Sequence, residues 1–159
     1  LKQIAILRDR FGEKCMIGAG TAISVDLAKA AIGAGAQFLL TPGTPIDVLQ
    51  YCAKKDIMLL PGVFTPGDVA TSLEFGYKTM KLFPAGCAPK GYLKALKGPY
   101  DEANYIAIGG VTIDNINDYF KEGYMGVGLA SNLMPLSVLK DKNWDLGVSY
   151  VQKYVSRVK

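Results

Sequence analysis

Phe38-Leu39-Leu40-Thr41-Pro42-Gly43-Thr44-Pro45-Ile46-Asp47 is an apolar triplet, a turn and a helix start, in that order. Three apolar residues stopped by Pro-Gly are too short for a helix and suit a strand buried on both faces. Thr-Pro-x-Asp then opens a helix. Thr is suited to the N-cap, Pro to the first helical position, and Asp to the first-turn amides. The same grammar returns in Met58-Leu59-Leu60-Pro61-Gly62-Val63, one expected strand, followed by Thr65-Pro66-Gly67-Asp68.

Outward from this pair, the chain repeats the unit in both directions. It opens on a helix with Leu1, Ile4, Leu7 and Phe11 at helical spacing. A strand from Cys15 to Thr21 follows, and Ser24 caps a helix over Val25 to Gly33. Downstream come a strand around Thr79 to Phe83, a short helix from Gly91 to Lys97 and a strand from Tyr105 to Gly110. Thr112 is expected to cap a helix carrying Ile116 and Phe120. A last strand spans Met125 to Ser131, and a helix from Asn143 to Arg157 sets Trp144, Val148, Val151 and Val155 on one side.

The turn residues Thr21, Pro42, Gly62, Pro84, Gly110 and Ser131 thus recur at roughly twenty-residue intervals, and six βα units alternate strictly. Such alternation means parallel strands with helical crossovers, in an open doubly wound sheet or a barrel. A leucine-rich solenoid of similar period would need an LxxLxL core, which this sequence lacks. A series that starts on a helix suggests a lost preceding strand. The expected fold is therefore α/β, a TIM-type (β/α)8 barrel with its first two strands missing, and residues 1–159 forming one incomplete barrel domain. An open strand edge of that kind is expected to promote association unless covered.

Composition narrows the chemistry. The 159 residues are 50% hydrophobic and 20% charged, and their net charge of +4 comes from dispersed lysines. That pattern suits an anionic small substrate rather than nucleic acid. There is no histidine, and the three cysteines Cys15, Cys52 and Cys87 lie far apart, so zinc constellations and Ser-His-Asp or Cys-His mechanisms are excluded. No apolar run reaches membrane-spanning length and the chain opens with no leader-like pattern. A cytoplasmic protein with buried, reduced thiols, no cofactor, no metal and no membrane association is expected.

In Thr79-Met80-Lys81-Leu82-Phe83-Pro84-Ala85 a lysine sits inside an apolar run. Strand alternation puts Thr79, Lys81 and Phe83 on one face and Met80 and Leu82 on the other. Desolvation disfavours the ammonium form, and a neutral amine is what attack on a carbonyl requires. A strained structural lysine is the alternative. In parallel α/β folds the site gathers at the carboxyl ends of the strands, where Lys81 is the only amine. Gly109-Gly110 and the Gly128 to Ser131 turn expose unobstructed amides there, as a phosphate site would. Asp26, Asp47, Asp68 and Asp114 lie in first helical turns, where capping accounts for them, so no proton shuttle is evident at a strand end.

Taken together, Gly18-Ala19-Gly20-Thr21, Ala34-Gly35-Ala36-Gln37-Phe38, Pro42-Gly43, Leu60-Pro61-Gly62-Val63, Lys81-Leu82-Phe83-Pro84-Ala85, Leu93-Lys94-Ala95-Leu96 and Gly109-Gly110-Val111-Thr112 resemble the 2-keto-3-deoxy-6-phosphogluconate (KDPG) and 4-hydroxy-2-oxoglutarate (KHG) aldolases. The resemblance runs from Cys15 to about Leu133. It implies a class I, metal-independent aldolase on a βα barrel, a homotrimer that releases pyruvate with glyceraldehyde 3-phosphate or glyoxylate from a small keto-acid substrate. By the same resemblance Lys81 is the Schiff-base lysine and Thr21 holds the pyruvate carboxylate. Pro42 and Phe83 contact the pyruvyl methyl, and Gly109, Gly110 and Ser131 bind phosphate. The family's proton-shuttling glutamate and carboxylate-binding arginine lie upstream of anything matched here. Ile108 before the Gly-Gly pair is more like the 6-phosphogalactonate branch, and Leu129-Ala130-Ser131 stands where the family has Gly-Gly-Ser. A barrel fragment that only binds pyruvate or phosphate is the non-catalytic alternative.

Overall fold

The apolar triplets do become short parallel strands, and the residues between them become helices. The computed structural model describes residues 1–158. The chain divides into two compact units, Leu1–Lys81 and Leu82–Lys159.

In the first unit, helix α1 (Lys2–Phe11) precedes strand β1 (Gly18–Ala19), much shorter than the sequence suggested. No residue of α1 is buried. Of its apolar positions Ile4 packs against the core, whereas Leu7 and Phe11 remain exposed. Helix α2 (Val25–Gly33) begins at the expected cap, with the Leu27 amide donating to Ser24 Oγ at 3.3 Å. Strand β2 (Phe38–Leu40), helix α3 (Ile46–Lys54) and strand β3 (Leu59–Leu60) follow. The three strands run parallel, with Ala19 opposite Leu39 and Leu39 opposite Leu59. Ala28, Leu39, Val48, Leu49 and Cys52 are wholly buried in the core between this sheet and its helices. Each large apolar side chain there contributes about 1.5–3 kcal/mol of burial.

Two local expectations need correction here. The run Met58 to Val63 is not one strand. It breaks at Pro61 into β3 and a separate strand β4 (Gly62–Val63), because Pro has no amide to continue the ladder. The two Thr-Pro-x-Asp tetrads also differ. Thr65 caps α4 (Pro66–Glu74) in a full capping box with Asp68. At α3, however, Pro45 occupies the cap position, and Thr44 lies one residue too early to reach the first amides. The Thr44 hydroxyl donates instead to Asp68 Oδ1 at 3.2 Å. Strand β5 (Thr79–Leu82) follows, and Met80, Lys81 and Leu82 are all buried.

The second unit holds a one-turn 3-10 helix (Ala85–Cys87), α5 (Tyr92–Lys97), β6 (Asn104–Ile108), α6 (Ile116–Glu122), β7 (Gly126–Gly128), α7 (Leu136–Lys140) and α8 (Trp144–Arg157). Strands β6 and β7 are parallel, with Ile108 opposite Gly128. Thr112 does not cap α6. Asn115 stands at that cap, its carboxamide oxygen accepting the Thr112 amide at 2.7 Å. Helix α8 begins one residue later than expected, because Asn143 serves as its cap and accepts the Leu146 amide at 3.2 Å. It buries Gly147 and Tyr154 and leaves Trp144 59% exposed. No helix among the described residues is long and apolar enough to cross a membrane.

Candidate active site

The register of the first unit places its proposed site residues at one level. Thr21, Pro42 and Pro61 each fall just beyond the carboxyl end of a strand in the β1-β2-β3 sheet. Lys81 joins them through the main chain, its amide donating to the Pro61 carbonyl at 2.8 Å. The Lys81 side chain belongs to a residue only 9% exposed, and burial holds its pKa below the usual lysine range. Thr21 has φ 60, a left-handed conformation that a β-branched residue adopts only under strain.

One residue here escaped the sequence reading. Thr41 is wholly buried. Its hydroxyl donates to the Gly43 carbonyl at 2.6 Å and accepts the Gly62 amide at 3.1 Å. Gly62 is the residue that makes this approach possible, since a Cβ there would lie 2.4 Å from the Pro42 carbonyl carbon. The only available signal was a threonine directly before Pro-Gly at a strand end.

Asp68 forms a second polar junction in the same unit. Burial alone would raise its pKa, yet the amides of Thr65 and Phe64 and the hydroxyls of Thr65 and Thr44 hold the carboxyl below its usual range.

In the second unit the candidate turns are shaped by main chain. Gly110 has φ 88, and a Cβ there would come within 2.8 Å of Gly86 Cα, so only glycine fits. The Gly86 amide donates to the Gly109 carbonyl at 2.8 Å, and Phe83 lies against Gly109. Two asparagines, also not singled out from sequence, hold the turns. Asn115 Nδ2 donates to the Gly110 carbonyl at 2.9 Å, and Asn132 Nδ2 to the Val111 carbonyl at 3.1 Å. The second bond ties the Gly109-Gly110 turn to the exposed turn bearing Ser131. The Thr112 amide, which follows these turns, is held by the Asn115 carboxamide oxygen.

Parallel βα units with a lysine sequestered at a strand end define an α/β protein of the TIM-barrel type. The chain belongs to the KDPG and KHG aldolase family, whose family model matches residues 1–149. A 2-dehydro-3-deoxy-6-phosphogalactonate aldolase of Escherichia coli is 30% identical over 155 residues, 96% of this chain and 75% of that protein. A 2-dehydro-3-deoxy-phosphogluconate aldolase of Pseudomonas aeruginosa is 34% identical over 130 residues, 80% of this chain but 59% of its own length. Among solved structures, a Legionella pneumophila KDPG aldolase with pyruvate captured as a covalent carbinolamine is 30% identical. It covers 94% of this chain and 73% of its own, with a TM-score of 0.87. The chain thus spans between about three-fifths and three-quarters of these relatives.

Proposed function

We propose that the protein is a class I aldolase that cleaves 2-keto-3-deoxy-6-phosphogluconate, 4-hydroxy-2-oxoglutarate or both, giving pyruvate with glyceraldehyde 3-phosphate or glyoxylate. The observation that carries this reading is the burial of Lys81 on β5, which favours the neutral, nucleophilic amine. Its Nζ adds to the keto carbon, and loss of water leaves an iminium. The bond between C3 and C4 then breaks, its electron pair passing into the iminium to form an enamine, while the C4 hydroxyl gives up its proton to leave the aldehyde. Protonation of the enamine and hydrolysis release pyruvate and free the lysine.

In this scheme Thr21 holds the pyruvate carboxylate, Pro42 and Phe83 flank the methyl, and the turns of Gly109, Gly110 and Ser131 take the phosphate. No metal or other cofactor takes part. The keto acid is the only partner besides further copies in a homotrimer, with neither nucleic acid nor membrane involved. Of the three thiols only Cys52 is buried, Cys15 and Cys87 being exposed and not buried as expected, and a reducing cytoplasm would keep such thiols free.

Borohydride reduction in the presence of pyruvate tests the reading. A mass increase mapping to Lys81 is expected, and an unmodified lysine would sink it. The galactonate epimer is a second substrate reading, favoured by aliphatic Ile108 before Gly109 and by the similarity to the E. coli phosphogalactonate enzyme. Comparing retro-aldol rates on the two epimers decides between them.

A further inference from the structure

The break at Pro61 leaves a problem that Thr41 solves. In a regular parallel ladder a residue donates its amide to one neighbour on the adjacent strand and accepts an amide with its own carbonyl. Thr41 keeps the first half of the pattern, its amide donating to the Leu60 carbonyl at 3.3 Å. The second half is altered. The Gly62 amide goes to the Thr41 hydroxyl and not to the Thr41 carbonyl. Gly62 is buried, so its amide needs an acceptor inside the protein. The same hydroxyl passes its own proton to the Gly43 carbonyl, which fixes the Pro42-Gly43 turn. On the far side of the break, the Pro61 carbonyl receives the Lys81 amide. A short series of polar contacts therefore runs from the Pro42 turn through Thr41 and the Pro61-Gly62 peptide to the backbone of Lys81.

We infer that Thr41 is a positioning residue for the imine-forming lysine, acting through the Pro61-Gly62 break. It reaches no substrate itself. Its hydroxyl fixes the peptide against which the Lys81 main chain is hydrogen-bonded, and so sets where Nζ stands relative to the keto carbon. This rests on the reading of Lys81 as the Schiff-base residue.

The test is the rate of borohydride-trapped pyruvate adduct in the full chain across pyruvate concentration and pH, for wild type, T41S, T41C and T41V. Trapping in the wild type secures the underlying reading, and its absence would sink that reading rather than this one. T41V keeps the shape of threonine and removes the hydroxyl. Its limiting trapping rate per folded molecule should fall roughly tenfold to a hundredfold, the penalty of a misplaced reacting group. The half-saturating pyruvate concentration should change less. T41S should return the rate to within about threefold of wild type, and T41C, with its longer and weaker sulfur contacts, should fall between. A hydroxyl serving stability alone would lower the melting temperature of T41V and leave rate and pH profile unmoved, which overturns the inference. Should T41V not fold, a T41C rate equal to wild type overturns it equally.

Discussion

The two compact units hold their candidate site residues in opposite ways. The first relies on side chains that burial and hydrogen bonds restrict: Lys81 on β5, the strained Thr21 and the buried hydroxyl of Thr41. The second relies on backbone shape, with Gly110 against Gly86 and two asparagine carboxamides bracing the turns. The difference teaches where each unit is vulnerable. Loss of one functional group should disable the first, whereas addition of one methyl group should disable the second.

The sharpest break in that contrast is Lys81→Met. Trapped adduct should vanish and turnover should fall by at least about a thousandfold, read by mass spectrometry and a coupled pyruvate assay. The same change should raise thermal stability. A lysine whose pKa is lowered on folding binds fewer protons folded than unfolded, so it costs stability at neutral pH, a cost relieved only as pH rises toward the ordinary lysine range. A denaturation midpoint unchanged or lowered for Lys81→Met would contradict that account.

Gly110→Ala probes the other unit. The positive φ and the contact with Gly86 should together cost about 1–3 kcal/mol, measured by chemical denaturation. Cleavage of a phosphorylated substrate should weaken more than cleavage of an unphosphorylated one. Gly43→Ala is the control, since nothing lies within 4 Å of a Cβ there, and it should stay within about 0.5 kcal/mol of wild type.

Smaller effects sharpen the comparison within the first unit. Asp68→Ala removes the capping box and should cost roughly 1 kcal/mol, and Thr44→Val, which removes one hydrogen bond to the same carboxylate, about half of that. Because its folded pKa is depressed, Asp68 contributes stability that is complete above the ordinary carboxylate range and is lost as pH falls through the folded pKa. Wild type and Asp68→Asn should therefore converge in stability on acidification, a trend visible in midpoints taken toward pH 3.

Much of this was legible in sequence because it is local. Ser24 caps the helix it precedes, the Thr65-Asp68 box forms, and the apolar triplet at Phe38 becomes a strand. Pairing across distance was not legible. Thr44 and Thr65 head nearly the same tetrad, yet α3 starts one residue later in its tetrad, with Pro45 at the cap, and Thr44 bonds the distant carboxylate of Asp68. The Pro61 break was hidden inside an apolar run. Helix α7 is too short to show a period, and Asn115 outcompeted Thr112 because its carboxamide reaches two groups of the Gly-Gly turn. Lys81 stood out for the opposite reason, as a charge in an apolar strand is anomalous without reference to any neighbour. Thr41 looked like an ordinary strand-end residue, and its importance lies in a contact 21 positions away.

The exposed indole of Trp144 has a practical consequence. It is the only tryptophan in the chain and stands at the start of α8, in the second unit. Intrinsic emission excited at the indole band therefore reports on one helix alone, and in the isolated chain it should be red-shifted and open to quenching by iodide or acrylamide. A blue shift with rising protein concentration would signal that something has covered α8, while melting confined to the first unit would be optically silent at that wavelength. The molecule carries its own local dye, and its colour tells whether that helix is in water.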